Sequence, residues 1–274
     1  MSNRTARPDT ATIAAAFTDT AARYDAFADD HPHLTRMREQ VYDAVTRTVP
    51  SGARILELNA GTGTDAVHLA RLGYRVHATD IAPGMVARIE EKVARLGLGG
   101  AVTSEVRSFH DLDQLVDVPY DGVVSNLGGL NCTADLAAVA RGIGGVLAPD
   151  GRLVLVVMPP VCLWELALVA KGQVRLATRR LRRRNVGAHL EGHRFPVHYY
   201  TPREVVAAFG PGYRTIAVEG LAVVTPTAES KGLAVRHPRW YAALAAVDRR
   251  VRTHAPFSGW GDFYVLTMQR TCTS

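Results

Sequence analysis

One segment of the sequence combines residue types at a spacing that can bind a charged small molecule: Ile55-Leu-Glu-Leu-Asn-Ala-Gly-Thr-Gly-Thr-Asp65. A short apolar run leads into Gly61-x-Gly63 and straight on into a helical pattern. Glycines at such a junction allow a tight turn and let a ligand approach bare backbone. Seventeen residues after Gly63, Asp80 closes the next apolar run, where a carboxylate can accept two hydrogen bonds from ribose hydroxyls. Gly61-Thr-Gly63-Thr-Asp-Ala66 satisfies the G-x-G-x-x-A dinucleotide pattern. Glu57, however, ends the first run beside the place a pyrophosphate would occupy, and its charge would repel phosphates. A carboxylate there suits a cation instead, such as the amino or sulfonium group of S-adenosylmethionine, and that is the ligand the segment favours.

Other reactive side chains are scattered. His110, His193 and His198 are candidate general bases, and His193 is assigned the catalytic role. His189 and His193 have one-face helical spacing and with His198 could ligate a metal. Gly192 and Pro196 break any helix there and no H-E-x-x-H arrangement exists, so no metal site is expected. Cys132, Cys162 and Cys272 lack a C-x-x-C pair, which argues against a disulfide scaffold or a thiolate zinc site. Much of the net charge of +6 sits in Arg179, Arg180, Arg182, Arg183 and Arg184. Such a run reads as a solvated helix face, or otherwise as a holder of phosphates or anionic lipid.

The elements that must position these residues follow from periodicity. Ile13, Phe17, Ala21, Tyr24 and Phe27 recur at three- and four-residue spacing, which predicts a helix over Thr10 to Ala28, and a second helix runs from Leu34 to Val49. Strands are expected at Arg54–Leu58, Tyr74–Thr79, Ala101–Val106, Asp121–Asn126 and Arg152–Met158. Helices alternate with them at Asp65–Leu72, Pro83–Leu96 and Thr133–Leu147, a rhythm that means βαβ units and a parallel sheet covered on both faces. The rhythm changes after Met158: an apolar helix (Val161 to Ala170), an arginine-rich helix and a polar stretch reach Pro196. Tyr199-Tyr200 reads as a strand edge, Thr201-Pro202 caps a helix, and Pro238 starts another. Late strands are expected at Arg214–Val224 and Phe263–Gln269.

Glu57-Leu-Asn-Ala-Gly-Thr-Gly63 with Asp80 resembles motif I and its acidic partner in the class I S-adenosylmethionine-dependent methyltransferases, and Phe17 to Asp25 looks like the lead-in helix of their small-molecule branch, the natural-product and quinone enzymes. The resemblance covers Ala53 to Met158 well. It implies an α/β, three-layer Rossmann-like methyltransferase fold: a seven-stranded, mostly parallel sheet with an antiparallel last strand, plus N-terminal helices and a helical insertion after the fifth strand. By the same resemblance Glu57, Asn59, Ala60, Gly61 and Gly63 would cradle the methionine part, and Asp80 would bind ribose. Ile81, Met85, Ser108 and Phe109 would border the adenine, Asn126 and Leu127 would reach the sulfonium side, and Tyr24 would fold over the cofactor. Two positions depart from the pattern. Asn59 replaces the first glycine, though Asn is the ordinary residue that best tolerates left-handed backbone; the acid common near Ser108 is missing.

These readings divide the chain into an N-terminal helical lid (1–50) and a methyltransferase domain (51–274) whose insertion (161–196) lies over the active site, with Asn131 and Trp164 facing substrate. The expected activity is methyl transfer from S-adenosyl-L-methionine to O or N of a small, partly apolar molecule, as in secondary metabolism. A cyclase or similar catalyst that holds the cofactor without spending it, and an RNA methyltransferase, are the alternatives. Asn126-Leu-Gly-Gly is not the Asn/Asp-Pro-Pro-aromatic box of base-amino methylation, and no basic stripe interleaves with aromatics, so nucleic acid is disfavoured as a partner. A homodimer is compatible with the sequence. Hydrophobic residues at 47% and charged residues at 21% exclude wholesale disorder. Pro159-Pro160 splits the apolar run Leu153–Ala170 so that neither half spans a bilayer, and Met1 to Pro8 is polar with two arginines. The expected location is therefore cytoplasmic.

Overall fold

The computed structural model describes residues 8–28 and 31–271; Cys272 and the side chain of Phe27 lie outside the described residues. Its helices are α1 (Pro8–Ala28), α2 (Pro32–Thr48), α3 (Thr64–Arg71), α4 (Pro83–Leu96), α5 (Leu136–Val146), α6 (Leu163–Leu166), α7 (Val174–Ala177), α8 (Pro202–Phe209), α9 (Lys231–Arg236) and α10 (Pro238–Val251). The strands are β1 (Arg54–Leu58), β2 (Arg75–Asp80), β3 (Val102–Val106), β4 (Tyr120–Ser125), β5 (Leu147–Val157), β6 (Val186–Leu190), β7 (His193–Val197), β8 (Tyr213–Leu221) and β9 (Phe263–Arg270). Seven of them form one sheet in the order β3-β2-β1-β4-β5-β9-β8. β1 to β5 run parallel, and β9 is antiparallel to both of its neighbours, β5 and β8.

Strand β1 is central, so both of its faces must be apolar. Ile55 belongs to the core under α2 and α3, with Val41, Val45 and Leu69, whereas Leu56 and Leu58 point to the opposite core under α5, with Val139 and Ile143. All three β1 aliphatics are fully buried, each worth about 1.5–3 kcal/mol by transfer out of water. Glu57 shares Ile55's face by the two-residue period of a strand, which drives a carboxylate into the interior. The order reverses between β1 and β4, so the loops that leave the C-terminal ends of β1 and β4 flank a crevice.

The insertion differs from expectation. Only short turns, α6, residues 167–171, α7 and residues 179–182, are helical, and the stretch read as polar is the antiparallel hairpin β6–β7. A two-residue turn, Glu191-Gly192, joins its strands with φ of 47° and 84°, the doubly left-handed geometry that matches strand twist. Phe195 and Val197 of β7, with Tyr199, pack on Ile13 and Ala16 of α1. Tyr199 and Tyr200 lie beyond β7 and are buried rather than at a strand edge. The helix expected from Thr133 begins at Leu136, where Asp135 accepts a 2.9 Å hydrogen bond from the Ala138 N–H. The expected cap at Thr201 is a full capping box with Glu204. No described helix is long and apolar enough to cross a membrane.

Candidate functional site

The turn after β1 is built from residues that accept left-handed backbone: Asn59 at φ 48°, Gly61 at 55° and Gly63 at 77°. Asn59 therefore performs the conformational task of the glycine it replaces. Its side chain adds a clamp, donating from Nδ2 to the Asn126 carbonyl at 2.8 Å and accepting at Oδ1 from Ser125 Oγ at 2.6 Å. That clamp ties the β1 turn to the end of β4. It also requires Gly129, where an added Cβ would stand 2.2 Å from Asn59 Cγ. At Gly63 a Cβ would stand 3.0 Å from Ile89, so the glycine lets α3 start close against α4.

Asp80 ends β2 with its carboxylate turned back to the glycine turn: Oδ2 accepts from the Gly61 N–H and Oδ1 from the Ala82 N–H, both at 2.9 Å. Burial raises its pKa, and the hydrogen bonds from the Ala82, Gly61 and Ile81 N–H groups offset part of that rise. Glu57 is deeper, 1% exposed, and its Oε2 has no hydrogen-bond partner among the described residues. Burial first, then the neighbouring Asp65 and Asp80 charges, hold its pKa well above the carboxylate range against the lowering influence of Arg38. Asp65, at the start of α3, accepts from Tyr42 Oη at 2.5 Å and Asn126 Nδ2 at 2.9 Å, with Arg38 Nε at 3.2 Å.

These groups surround a cavity of about 340 Å³, inside the range of small-ligand sites. Eleven of the expected cofactor residues line it: Tyr24, Asn59, Ala60, Gly61, Asp80, Ile81, Met85, Ser108, Phe109, Asn126 and Leu127. Glu57 and Gly63 lie behind that lining. Tyr24 closes over the turn, 3.7 Å from where a Gly61 Cβ would be. Its neighbour Asp25 accepts from Thr62 Oγ1 and pairs with Lys92 of α4 at 3.0 Å, which pins α1 to the turn. The far end is walled by Ile13, Phe17, Cys132, Thr133, Asn185 and His198. Burial pushes the Cys132 thiol up to about 12, so it stays protonated at neutral pH.

Besides Glu57 and Gly63, three expected residues do not line this cavity. His193, assigned as catalytic, is on the outer hairpin, where its Nε2 meets Asp19 Oδ2 at 2.9 Å. Asn131 is fully buried and its amide is consumed by backbone: Nδ2 donates to the Met158 and His198 carbonyls and Oδ1 accepts from the Met158 N–H. It positions the loops rather than facing a substrate. Trp164 lines a separate groove and donates to Ser230 Oγ at 3.2 Å. The histidines that do line the cavity are His110, 2.9 Å from Thr133 Oγ1, and His198.

Arg38 was missed by the sequence reading. It sits four residues from both Leu34 and Tyr42 on the buried stripe of α2, and a charge in an apolar stripe is the signal that could have found it. The arginine run is solvated only in part: Arg182, Arg183 and Arg184 are exposed, whereas Arg179 and Arg180 turn onto carboxylates. Arg180 is 4% exposed and bonds Glu165 Oε1 at 2.8 Å, the Asp262 carbonyl at 2.8 Å and Asp262 Oδ1 at 2.7 Å. Arg179 forks onto Glu165, and Arg183 and Arg184 pair with Glu204. Among the described residues Cys162, Glu165 and Asp262 form a cluster with metal-ligand chemistry, but the Arg180 guanidinium occupies the place of a cation between its carboxylates.

The residues present fit S-adenosylmethionine. Asp65 and Asp80 face one guanidinium, Arg38, so the floor of the cavity has a net negative charge even with the Glu57 carboxyl protonated, which suits an ammonium and a sulfonium and disfavours a pyrophosphate. The unpartnered Glu57 Oε2 awaits a donor. Residues 55–151 match a family model described as a methyltransferase domain. Over 121 residues the chain is 31% identical to an S-adenosyl-L-methionine-dependent Diels-Alderase of Neonectria sp. (strain DH2), covering 44% of this chain and 43% of that protein. Over 112 residues it is 36% identical to a ubiquinone biosynthesis O-methyltransferase of Xanthomonas axonopodis pv. citri, covering 40% of this chain and 44% of the relative. The chain thus spans less than half the length of these relatives. In structure it is similar to the CcbJ methyltransferase of Streptomyces caelestis, with a TM-score of 0.63 at 19% identity over 94% of this chain and 98% of that one. Residues 55–151 thus match a methyltransferase domain, and the sheet order is that of a Rossmann-like methyltransferase fold.

Proposed function

We propose that the protein transfers a methyl group from S-adenosylmethionine to an oxygen or nitrogen of a small, partly apolar molecule of secondary metabolism. The observation that carries this reading is the continuity of one cavity, from the net-negative floor at the ends of β1 and β2 to a chamber of mixed character between α1 and the insertion. At the floor, Glu57 would hold the cofactor's ammonium, Arg38 its carboxylate and Asp80 its ribose, with Ile81, Met85 and Phe109 against the adenine. The cofactor supplies an electrophilic methyl on sulfur. The chain's task is then to align an acceptor for in-line displacement and to exclude water, and such positioning supplies much of the rate. The Ile13 and Phe17 side chains favour an apolar acceptor body, and His110 and His198 are the groups that could take its proton where the acceptor must lose one early. His193 is not retained in that role.

A second reading, in which the same site holds the cofactor unspent while a cyclisation occurs beside it, is favoured by the Neonectria relative's name. Turnover of an acceptor panel with quantified S-adenosylhomocysteine separates the two. Stoichiometric S-adenosylhomocysteine supports methyl transfer; product without it supports the cyclase; RNA methylation in place of either overturns both.

A further inference from the structure

Two stretches of the chain contain no acidic residue: 166–190, between Glu165 and Glu191, and 230–247, between Glu229 and Asp248. Together they carry ten Lys and Arg residues, so their charge is unbalanced within the sequence itself. The structure brings the two together. Trp164 bonds Ser230, its ring lies 6.1 Å from that of Trp240, and a groove of about 370 Å³ runs between Trp164, Leu168 and Lys171 on one side and Leu233 and Arg236 on the other. Of the twelve large hydrophobics exposed among the described residues, seven fall in these two stretches: Val169, Val174, Leu176, Leu181, Val235, Trp240 and Val247. The other five are Leu72, Val106, Val116, Val118 and Ile216, so no other stretch of the described residues gathers more than two. Four of the ten basic residues are spent on internal carboxylates, as described for Arg179, Arg180, Arg183 and Arg184. Lys171, Arg175, Arg182, Arg236 and Arg239 form no ion pair among the described residues.

We propose that this face docks on the surface of an anionic lipid bilayer, with Trp240, Val235 and Val169 entering the headgroup boundary and Lys171, Arg175, Arg236 and Arg239 reaching lipid phosphates. Exposed aliphatics beside tryptophan and unpaired basic residues match the two requirements of peripheral membrane binding, apolar area and attraction to anionic headgroups. A nucleic acid would use the charge but leave Val169, Val235 and the other aliphatics in water, so the apolar part decides for lipid. The surface does not depend on the reaction assigned to the cavity.

The test is co-sedimentation of the full chain with vesicles of phosphatidylcholine alone and of phosphatidylcholine with phosphatidylglycerol, across a salt series. The expected result is binding to the anionic vesicles that weakens with salt, with a blue shift of tryptophan emission. Each basic residue at the surface contributes roughly a fivefold partition factor, so the Lys171→Gln/Arg236→Gln double variant should bind roughly 30-fold more weakly. Trp240→Ser should also weaken binding at unchanged charge and remove most of the emission shift. An unchanged thermal midpoint in both variants keeps the comparison on folded protein. No binding to anionic vesicles, binding that Trp240→Ser leaves intact, or preferential binding to single-stranded RNA would each overturn the proposal.

Discussion

Replacing Glu57 by Gln should make the protein more stable and its cofactor site worse. The side chain is 1% exposed and one carboxylate oxygen lacks a partner, while burial and then the Asp65 charge keep its pKa well above the carboxylate range. An acid whose folded pKa is raised gives stability that is present below its unfolded pKa and lost as pH rises through the folded value. As pH rises above the ordinary carboxylate range, the unliganded protein therefore bears a growing cost, that of holding a proton the unfolded chain releases or of ionising a buried group. Gln keeps the volume, removes the charge and can donate to Asp65 or Asp80, so the gain in unfolding free energy is about 1–3 kcal/mol, the scale of one unsatisfied buried group. The gain should vanish at acid pH, where Glu57 is already protonated. In the same variant, loss of a charge-assisted hydrogen bond to the cofactor's ammonium costs about 1.5–3 kcal/mol, roughly a 10- to 150-fold rise in Kd. Urea unfolding at two pH values and calorimetric titration with S-adenosylhomocysteine measure the two effects. Opposite signs are the signature of a binding group stored at a stability cost. A variant that loses stability and keeps its affinity would refute the reasoning, because Glu57 would then be a structural residue.

Two further substitutions probe neighbouring parts of the account. Asp80→Ala removes the acceptor of the Gly61 and Ala82 N–H bonds as well as the proposed ribose contact, and should weaken S-adenosylhomocysteine binding by about 1–3 kcal/mol; unchanged affinity would contradict the assigned site. Arg180→Met leaves Asp262 buried without its partner and should cost about 3–5 kcal/mol in urea unfolding, with Arg180→Met/Asp262→Leu recovering part of the loss. Burial alone would raise the pKa of Glu165, but its bonds to Arg179 and Arg180 hold it below the ordinary value. The Arg180 contribution is thus present at neutral pH and should shrink as pH falls through that depressed pKa. A loss below about 1 kcal/mol for Arg180→Met would mean that the insertion is anchored elsewhere.

The sequence was most legible where one local rule had no competitor. Strand β1 and helix α4 begin and end where apolar periodicity and Pro83 place them. Asn59 was legible because few residue types accept positive φ, and Thr201 with Glu204 because a capping box is a local exchange of hydrogen bonds. The hairpin β6–β7 was illegible for the same physical reason in reverse: its turn uses Glu191 at a left-handed position, where Asn or Asp would have signalled it, and its Gly and Pro residues read as breakers. The arginine run could not be resolved locally, since the carboxylates that neutralise it lie at Glu165, Glu204 and Asp262, up to 82 residues away. His193 and Trp164 were misplaced because the path of the insertion is set by packing against α1 and α9, which spacing along the chain does not encode.

The central claim is that the cavity at the ends of β1, β2 and β4 binds S-adenosylmethionine rather than a dinucleotide. Calorimetric titration of the purified protein with S-adenosylhomocysteine, and in parallel with NADH, tests it most directly. The account predicts one-to-one micromolar binding of S-adenosylhomocysteine and no heat from NADH, because a pyrophosphate cannot share the floor with Glu57, Asp65 and Asp80. Binding of NADH, or silence with S-adenosylhomocysteine, would contradict it.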